Sequence, residues 1–161
     1  MDILFILDPF DSLKPKKETS IAMMRAAVAR GHRVFGCLQG DISLDQGKVT
    51  ARVTPLELTG ELSPWYKAGE VGTEPLSAFD AVLMRKDPPF DMEYVYSTYM
   101  LERAVEQGAR VYNNPAAIRD HNEKFSITAY PQLTTDVLVT RDPALLREFI
   151  ARHGEAVLKL L

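Results

Sequence analysis

The chain of 161 residues is 46% hydrophobic and 25% charged, with a formal net charge of -3. That balance excludes a disordered or fibrous chain and argues against the basic face of a nucleic-acid binder. No apolar run approaches the ~20 residues of a membrane span, and the one cysteine, Cys37, has no partner for a disulfide or a paired-cysteine metal site.

ILFIL at 3–7 is a short apolar run rich in strand formers, suited to a strand covered on both faces, with Asp8 at its end. The start MDILFILDPF has no basic segment and too short an apolar stretch for a secretory leader, so the expected setting is cytoplasmic. KPKK at 14–17 reads as a solvated loop. Thr19 or Ser20 caps a helix whose Ile21, Met24 and Val28 share a face and which Gly31 ends. VFGCL at 34–38 completes a strand, helix, strand unit, the pattern of a parallel sheet. ISL, the turn DQG and KVTARV alternate polar with apolar residues and predict a hairpin with one wet face. From Pro55 to Pro75, glycines and prolines crowd around Trp65 and Tyr66, predicting irregular chain packed by aromatics.

AVLM at 81–84 resumes the sheet. Asp91 caps a helix through about Gln107, with Tyr94, Thr98, Leu101 and Val105 on one face and Gly108 as its stop. RVYN at 110–113 is the next strand, and Asn114 with Pro115 opens a helix containing AAIRDHNEKF. From Pro131 the pattern restarts: VLVT at 137–140 as a strand, a helix opened by Asp142 and Pro143 and closed by Gly154, and AVLKLL as a further strand. The predicted fold class is α/β, an open and mostly parallel sheet flanked by helices.

Chemistry concentrates in LMRKDPPFDMEY at 83–94. Arg85, Lys86 and Asp87 leave a buried strand at the carboxyl edge of a parallel sheet, where loops converge beside helix N-termini and ligands gather. Arg85 offers a planar fork of donors for carboxylate or phosphate, and Pro88 with Pro89 removes backbone freedom that binding would otherwise have to suppress. A second reading stays open, in which Arg85 pairs with Asp87 or Asp91 and the prolines only shape a turn. Lys124 reads as a solvated helix residue, whereas Lys159, inside an apolar strand, must snorkel or meet an anion. His32 and His153 stand beside helix-ending glycines, where partial negative charge favours a cation, and His121 is expected at the surface. No Walker-type phosphate loop and no GxGxxG fingerprint occurs, and no Ser, His, Asp arrangement can be assembled from spacing.

Taken together, LDPFDSLKPKKETSIAMM, QGDISLDQGKV, VLMRKDPPFDMEYVYSTYMLERA, VYNNPAAIRDHNEKF and LVTRDPALLREFIARHGEAVLK resemble the amino-terminal part of bacterial glutathione synthetases, members of the ATP-grasp ligases. The resemblance runs over essentially the whole chain, and MRKDPPFD followed by NNPAAIRDHNEK is its most specific part. It implies a pre-ATP-grasp, Rossmann-like substrate-binding domain over 1–122 and, over 123–161, the first strand, helix and strand of an ATP-grasp domain. The implied reaction joins glycine to γ-glutamylcysteine: ATP phosphorylates the cysteinyl carboxylate, and the glycine amine attacks the acyl phosphate to give glutathione, ADP and phosphate. Such catalysis rests on charge neutralisation and positioning rather than on a dedicated base.

By motif match, Lys124 of NEK and Lys159 of VLK take the places of the family's two ATP-phosphate lysines. Arg85 is implied to face the peptide substrate, with Ser20 beside it at a helix N-terminus suited to carboxylate. ATP and Mg2+ are the implied cofactors, and a cytoplasmic homo-oligomer is the implied assembly of the full-length protein. After VLK, family members continue with a proline, a glycine-rich loop over the phosphates and the Mg2+ ligands, whereas here Leu160 and Leu161 follow. This chain alone is therefore expected to be inactive.

Two rival readings stand beside it. A receiver-like regulatory module would use Asp8 as phosphoacceptor and Lys159 at the last strand, but it needs a second acid beside Asp8, and the hairpin at 42–53 is foreign to it. A non-enzymatic small-molecule-binding or scaffold protein assembling with a partner chain would keep the cleft without the chemistry.

Overall fold

The computed structural model describes residues 1–160. They fall into two compact units, Met1–Arg119 and Asp120–Leu161. In chain order the first unit holds β1 (Asp2–Leu7), α1 (Thr19–Ala29), β2 (Arg33–Leu38), β3 (Ile42–Asp45), β4 (Lys48–Leu58), β5 (Tyr66–Ala68), β6 (Gly72–Pro75), β7 (Ala81–Met84), α2 (Met92–Glu106), β8 (Val111–Tyr112) and most of α3 (Pro115–Asp120). The strand order is β3-β4-β2-β1-β7-β8, with β5 and β6 both pairing β4. β1 runs parallel to β2 and β7, and β7 parallel to β8, whereas β4 is antiparallel to β2, β3, β5 and β6. This is the mostly parallel α/β sheet that the alternation of apolar runs and capped helices predicts.

β1 is central because ILFIL is apolar on both faces. Leu4 and Ile6 join one cluster with Val82, Tyr94 and Leu101, while Ile3, Phe5 and Leu7 join another with Ile21, Met24 and Val34. Each such side chain contributes roughly 1.5–3 kcal/mol on burial, so this strand alone anchors both faces. On α1 the buried residues are Ser20, Ile21, Met24 and Ala27, and Val28, expected on that face, is exposed. The packed stripe follows 21, 24, 27 instead of 21, 24, 28, because small Ala27 lets the helix lie close to the sheet. α2 shows the same substitution of small for large: Ala104 is buried and Val105 exposed. The buried Thr98 is satisfied, its hydroxyl donating to the Val95 carbonyl at 2.6 Å and accepting from Arg119 Nη1 at 3.1 Å.

The caps follow side-chain chemistry. Glu18, one residue before the expected Thr19 or Ser20, caps α1 by accepting from the Ser20 N–H at 3.5 Å. Asp91 caps α2 by accepting from the Tyr94 N–H at 3.0 Å, and Asn114 caps α3 by accepting from the Ala117 N–H at 3.1 Å.

Two expectations give way in this unit and at its end. The segment 55–75 is not irregular throughout: β4 continues to Leu58 and receives β5 and β6. Strands of three and four residues are too short to show a period, and only the long β4 gives them register. Trp65 does pack as expected, buried, with its indole N–H donating to the Phe10 carbonyl at 3.1 Å. The helix meant to contain AAIRDHNEKF ends at Asp120. There the Asn122 side chain accepts from the backbone N–H groups of Lys124 and Phe125 at 2.9 and 3.0 Å, offering them a turn in place of helical partners.

The second unit contains two 3-10 turns, Ser126–Ala129 and Pro131–Leu133, and α4 (Pro143–His153). Asp142 caps α4 through the Ala144 N–H at 2.7 Å, and Gly154, with φ of 76°, closes it, both as predicted. The expected strands at 137–140 and, for AVLKLL, at 156–161 are not formed among the described residues, Leu161 lying outside them. A strand exists only when a neighbour takes its backbone donors and acceptors, and no described segment pairs with either run. No residue from 120 to 160 is buried. No described helix is long and apolar enough to cross a membrane.

Candidate functional site

The site begins where β1 and β7 end. They are parallel and in register through Ile6 and Met84, so Asp8 and Arg85–Asp87 leave the sheet at the same edge. The Arg85 backbone N–H donates to the Ile6 carbonyl at 2.9 Å, continuing the ladder one residue beyond the strand. Its guanidinium Nε donates to Ser20 Oγ at 3.2 Å. Ser20 is wholly buried in the first turn of α1, and Arg85 is half-buried beside it.

No carboxylate lies within ion-pair distance of Arg85 among the described residues. The reading in which Arg85 pairs with Asp87 or Asp91 is therefore not the arrangement seen. Asp91 serves α2 as its cap. Asp8 instead pairs with Lys86, Oδ1 meeting Nζ at 3.1 Å while Oδ2 accepts from the Asp87 N–H at 2.8 Å. Lys86 Nζ also donates to the Asp87 carbonyl at 2.9 Å, so one carboxylate and one ammonium pin the turn that carries Arg85. A half-buried cation without a counter-charge, hydrogen-bonded to a hydroxyl at a helix N-terminus, is chemically ready for an anion.

A hollow of about 290 Å³ opens at this strand edge, lined by Asp8, Ser12, Leu13, Lys14, Lys17, Glu18 and Asp87. A more apolar one of about 520 Å³ is lined by the ends of β1 and β2 and by Glu93, Tyr96, Ser97 and Met100 of α2. Asp8 itself has both oxygens engaged, which removes the free carboxylate that the receiver-like reading needed, and no group of three or more His, Cys, Asp or Glu that could hold a metal occurs among the described residues.

In the second unit Lys124 lies on a turn, not a helix, and its Nζ donates to the Leu160 carbonyl at 2.6 Å, beside Lys159. Lys159 is exposed; with no strand around it, it has neither apolar walls to snorkel along nor a buried anion to meet. His121 is exposed as expected, His32 Nδ1 lies 3.5 Å from the N-terminal ammonium, and His153 Nε2 lies 3.6 Å from Asp136 Oδ2. Sequence reasoning missed the Asp8–Lys86 pair and Glu18. Asp8 was visible as a strand-end acid, but no local signal links it to a lysine on another strand.

An open parallel sheet with charged side chains gathered at the carboxyl edge of neighbouring strands defines an α/β domain of the class that meets its ligands at strand ends. Residues 1–119 match the family model described as "Prokaryotic glutathione synthetase, N-terminal domain". The chain is 51% identical over 161 residues to the glutathione synthetase of Ralstonia nicotianae, covering 100% of this chain and 50% of the relative. It is 51% identical over 166 residues to that of Bordetella pertussis, covering 100% and 52%, and 47% identical over 156 residues to that of Pseudomonas putida, covering 97% and 49%. The chain spans about half the length of these curated relatives. It belongs to the prokaryotic glutathione synthetase family.

Proposed function

We propose that the full-length protein carrying this sequence is an ATP-dependent ligase that joins glycine to γ-glutamylcysteine through an acyl phosphate, releasing glutathione, ADP and phosphate. Family membership supports the reaction, and one observation supports the assignment of roles: Arg85, half-buried and without a carboxylate partner among the described residues, donates to buried Ser20 at the start of α1. On this reading residues 1–122 form the substrate-binding domain, where Arg85, oriented by buried Ser20, holds an acidic group of the dipeptide, and residues 123–161 begin the ATP-grasp domain.

Lys124 and Lys159 fit the phosphates of ATP by their chemistry: both are exposed ammonium groups, and the Lys124 contact with the Leu160 carbonyl places its ammonium on the segment that carries Lys159. ATP, bound with Mg2+, supplies the phosphoryl group that activates the cysteinyl carboxylate. What this chain contributes is positive charge and a stiff wall that orients the dipeptide. The setting is cytoplasmic and the full-length protein a homo-oligomer.

The test is ADP release by the purified full-length protein. Release is expected only when γ-glutamylcysteine and glycine are both present, with glutathione formed in equal amount; release independent of glycine, or none at all, would remove the ligase reading. The scaffold alternative predicts dipeptide binding without ADP release.

A further inference from the structure

We propose that the groove of about 520 Å³ between α2 and the turn joining β2 to β3 binds a small apolar amine, a ligand with an ammonium head and a hydrocarbon or aryl body. Neither Arg85 nor Ser20 lines it, and no step of the proposed ligation uses it. Its volume falls within the roughly 300–1,000 Å³ of small-molecule sites. Two elements build it. Glu93, Tyr96, Ser97 and Met100 recur on α2 at helical spacings, so one side of the helix forms one wall. The other wall is the 3-10 turn Gln39–Asp41, with Leu38 and Ile42 at its ends. That turn is preformed: the Asp41 carboxylate accepts from the Leu38 N–H at 2.9 Å and stands 3.9 Å from Arg52 Nε.

The polar groups of the groove select the ligand. Asp8 and Lys86 also line it, but they neutralise one another at 3.1 Å. Glu93 enters no ion pair among the described residues, so the uncompensated charge of the wall is negative. The Ser97 hydroxyl donates to the Glu93 carbonyl at 2.9 Å, which leaves the Ser97 oxygen able to accept. Gln39 Oε1 is buried with no hydrogen-bond donor among the described residues. A buried acceptor left unpaired destabilises the empty fold, and an N–H brought to it recovers that loss. These acceptors, one of them charged, set among apolar side chains match an ammonium carried on an apolar body. A nucleotide or a carboxylate would be repelled by Glu93 and would find no free cation on the walls. Glycine has no apolar body to cover Leu38, Ile42, Tyr96 and Met100. The ligand is therefore none of the substrates of the proposed reaction.

The test is a set of ligand-observed NMR titrations of the full-length protein with 2-phenylethylamine, 2-phenylethanol and 3-phenylpropionate. The amine is expected to bind saturably and about fivefold more tightly than the alcohol, the upper value of an exposed ion pair, with the carboxylate weaker than both. Glu93→Gln, at an exposed position, is expected to bring amine and alcohol to within about twofold of one another, because only the amine loses a counter-charge. Gln39→Leu is expected to weaken the amine and the alcohol together by about threefold or more, the value of one hydrogen bond, while raising the urea midpoint because the orphan acceptor is gone. Absence of saturable amine binding to the unaltered protein would overturn the site, and so would an amine affinity that either variant leaves unchanged. Because the readout is binding, the result is independent of whether the protein ligates glycine.

Discussion

Arg85 is the residue on which the proposed chemistry turns, and its environment sets what removing it should do. Its only described side-chain partner is Ser20 Oγ, so truncation breaks one weak contact inside the fold while withdrawing a cation from the substrate side. In the full-length protein Arg85→Ala is expected to raise KM for the dipeptide by about tenfold or more and to leave KM for ATP within about twofold. An unchanged dipeptide KM with normal kcat would take Arg85 out of the site. Cys37 offers a test of the fold at the same scale. Burial on β2, with the negative charge of Asp41 adding to it, pushes its thiol from the ordinary 9.0 up to about 12. The folded state therefore favours the protonated thiol. That contribution is fully present below the unfolded thiol's value and is lost as pH rises through about 12. Urea unfolding is expected to show stability falling above pH 9 by at most about 1.4 kcal/mol per pH unit, a slope that Cys37→Ala removes. Equal slopes in the two proteins would contradict a buried thiol.

At the scale of elements, close approach and capping decide what holds the strand-end loops. Gly36 on β2 is a position where a Cβ would stand 2.7 and 2.9 Å from the Phe10 ring and 3.0 Å from Leu56 Cδ1. Phe10 cannot simply retreat, because its carbonyl receives the Trp65 indole and its ring meets Tyr66 edge-on at 5.7 Å. Gly36→Ala should therefore lower stability by about 1–3 kcal/mol, read as a shift in the urea midpoint with unchanged slope. Asp91 is the element-scale counterpart on the other side of the prolines: it terminates the 85–91 turn and starts α2 through the Tyr94 N–H. Asp91→Ala is expected to cost about 1 kcal/mol, whereas Asp91→Asn, which keeps an acceptor, should cost less. Equal losses in the two variants would show that charge, not capping, is what Asp91 supplies.

For the molecule as a whole, the distribution of burial separates the two units. Both hydrophobic clusters, including all the residues around β1, lie within 1–119, while no residue from 120 to 160 is buried. A chain of residues 1–119 alone is expected to give a dispersed amide spectrum and a cooperative thermal transition, and residues 120–161 alone a narrow spectrum without one. A dispersed spectrum from 120–161 would show that it carries a core of its own. The 161-residue chain, half the length of its relatives, is likewise expected to show no glycine-dependent ADP release, and turnover by it would break the proposed division of roles.

What the sequence determined by itself was everything written in short-range pattern. The doubly apolar ILFIL made a central strand, Asp91, Asn114 and Asp142 made caps, Gly108 and Gly154 ended helices, and the DQG turn made a hairpin. These outcomes depend on residues within a turn or two of one another, so local chemistry suffices. The motif strings carried the family for a similar reason, being contiguous. What only the tertiary structure decided was which distant groups meet: Arg85 with Ser20, Lys86 with Asp8, and β5 and β6 with β4. Those pairings are set by strand order and register, which place groups some 65 or 78 residues apart at one edge of a sheet, and no local period encodes that. The runs at 137–140 and, as far as residue 160, AVLKLL show the same rule from the other side, since an apolar sequence becomes a strand only where a neighbouring backbone takes its hydrogen bonds.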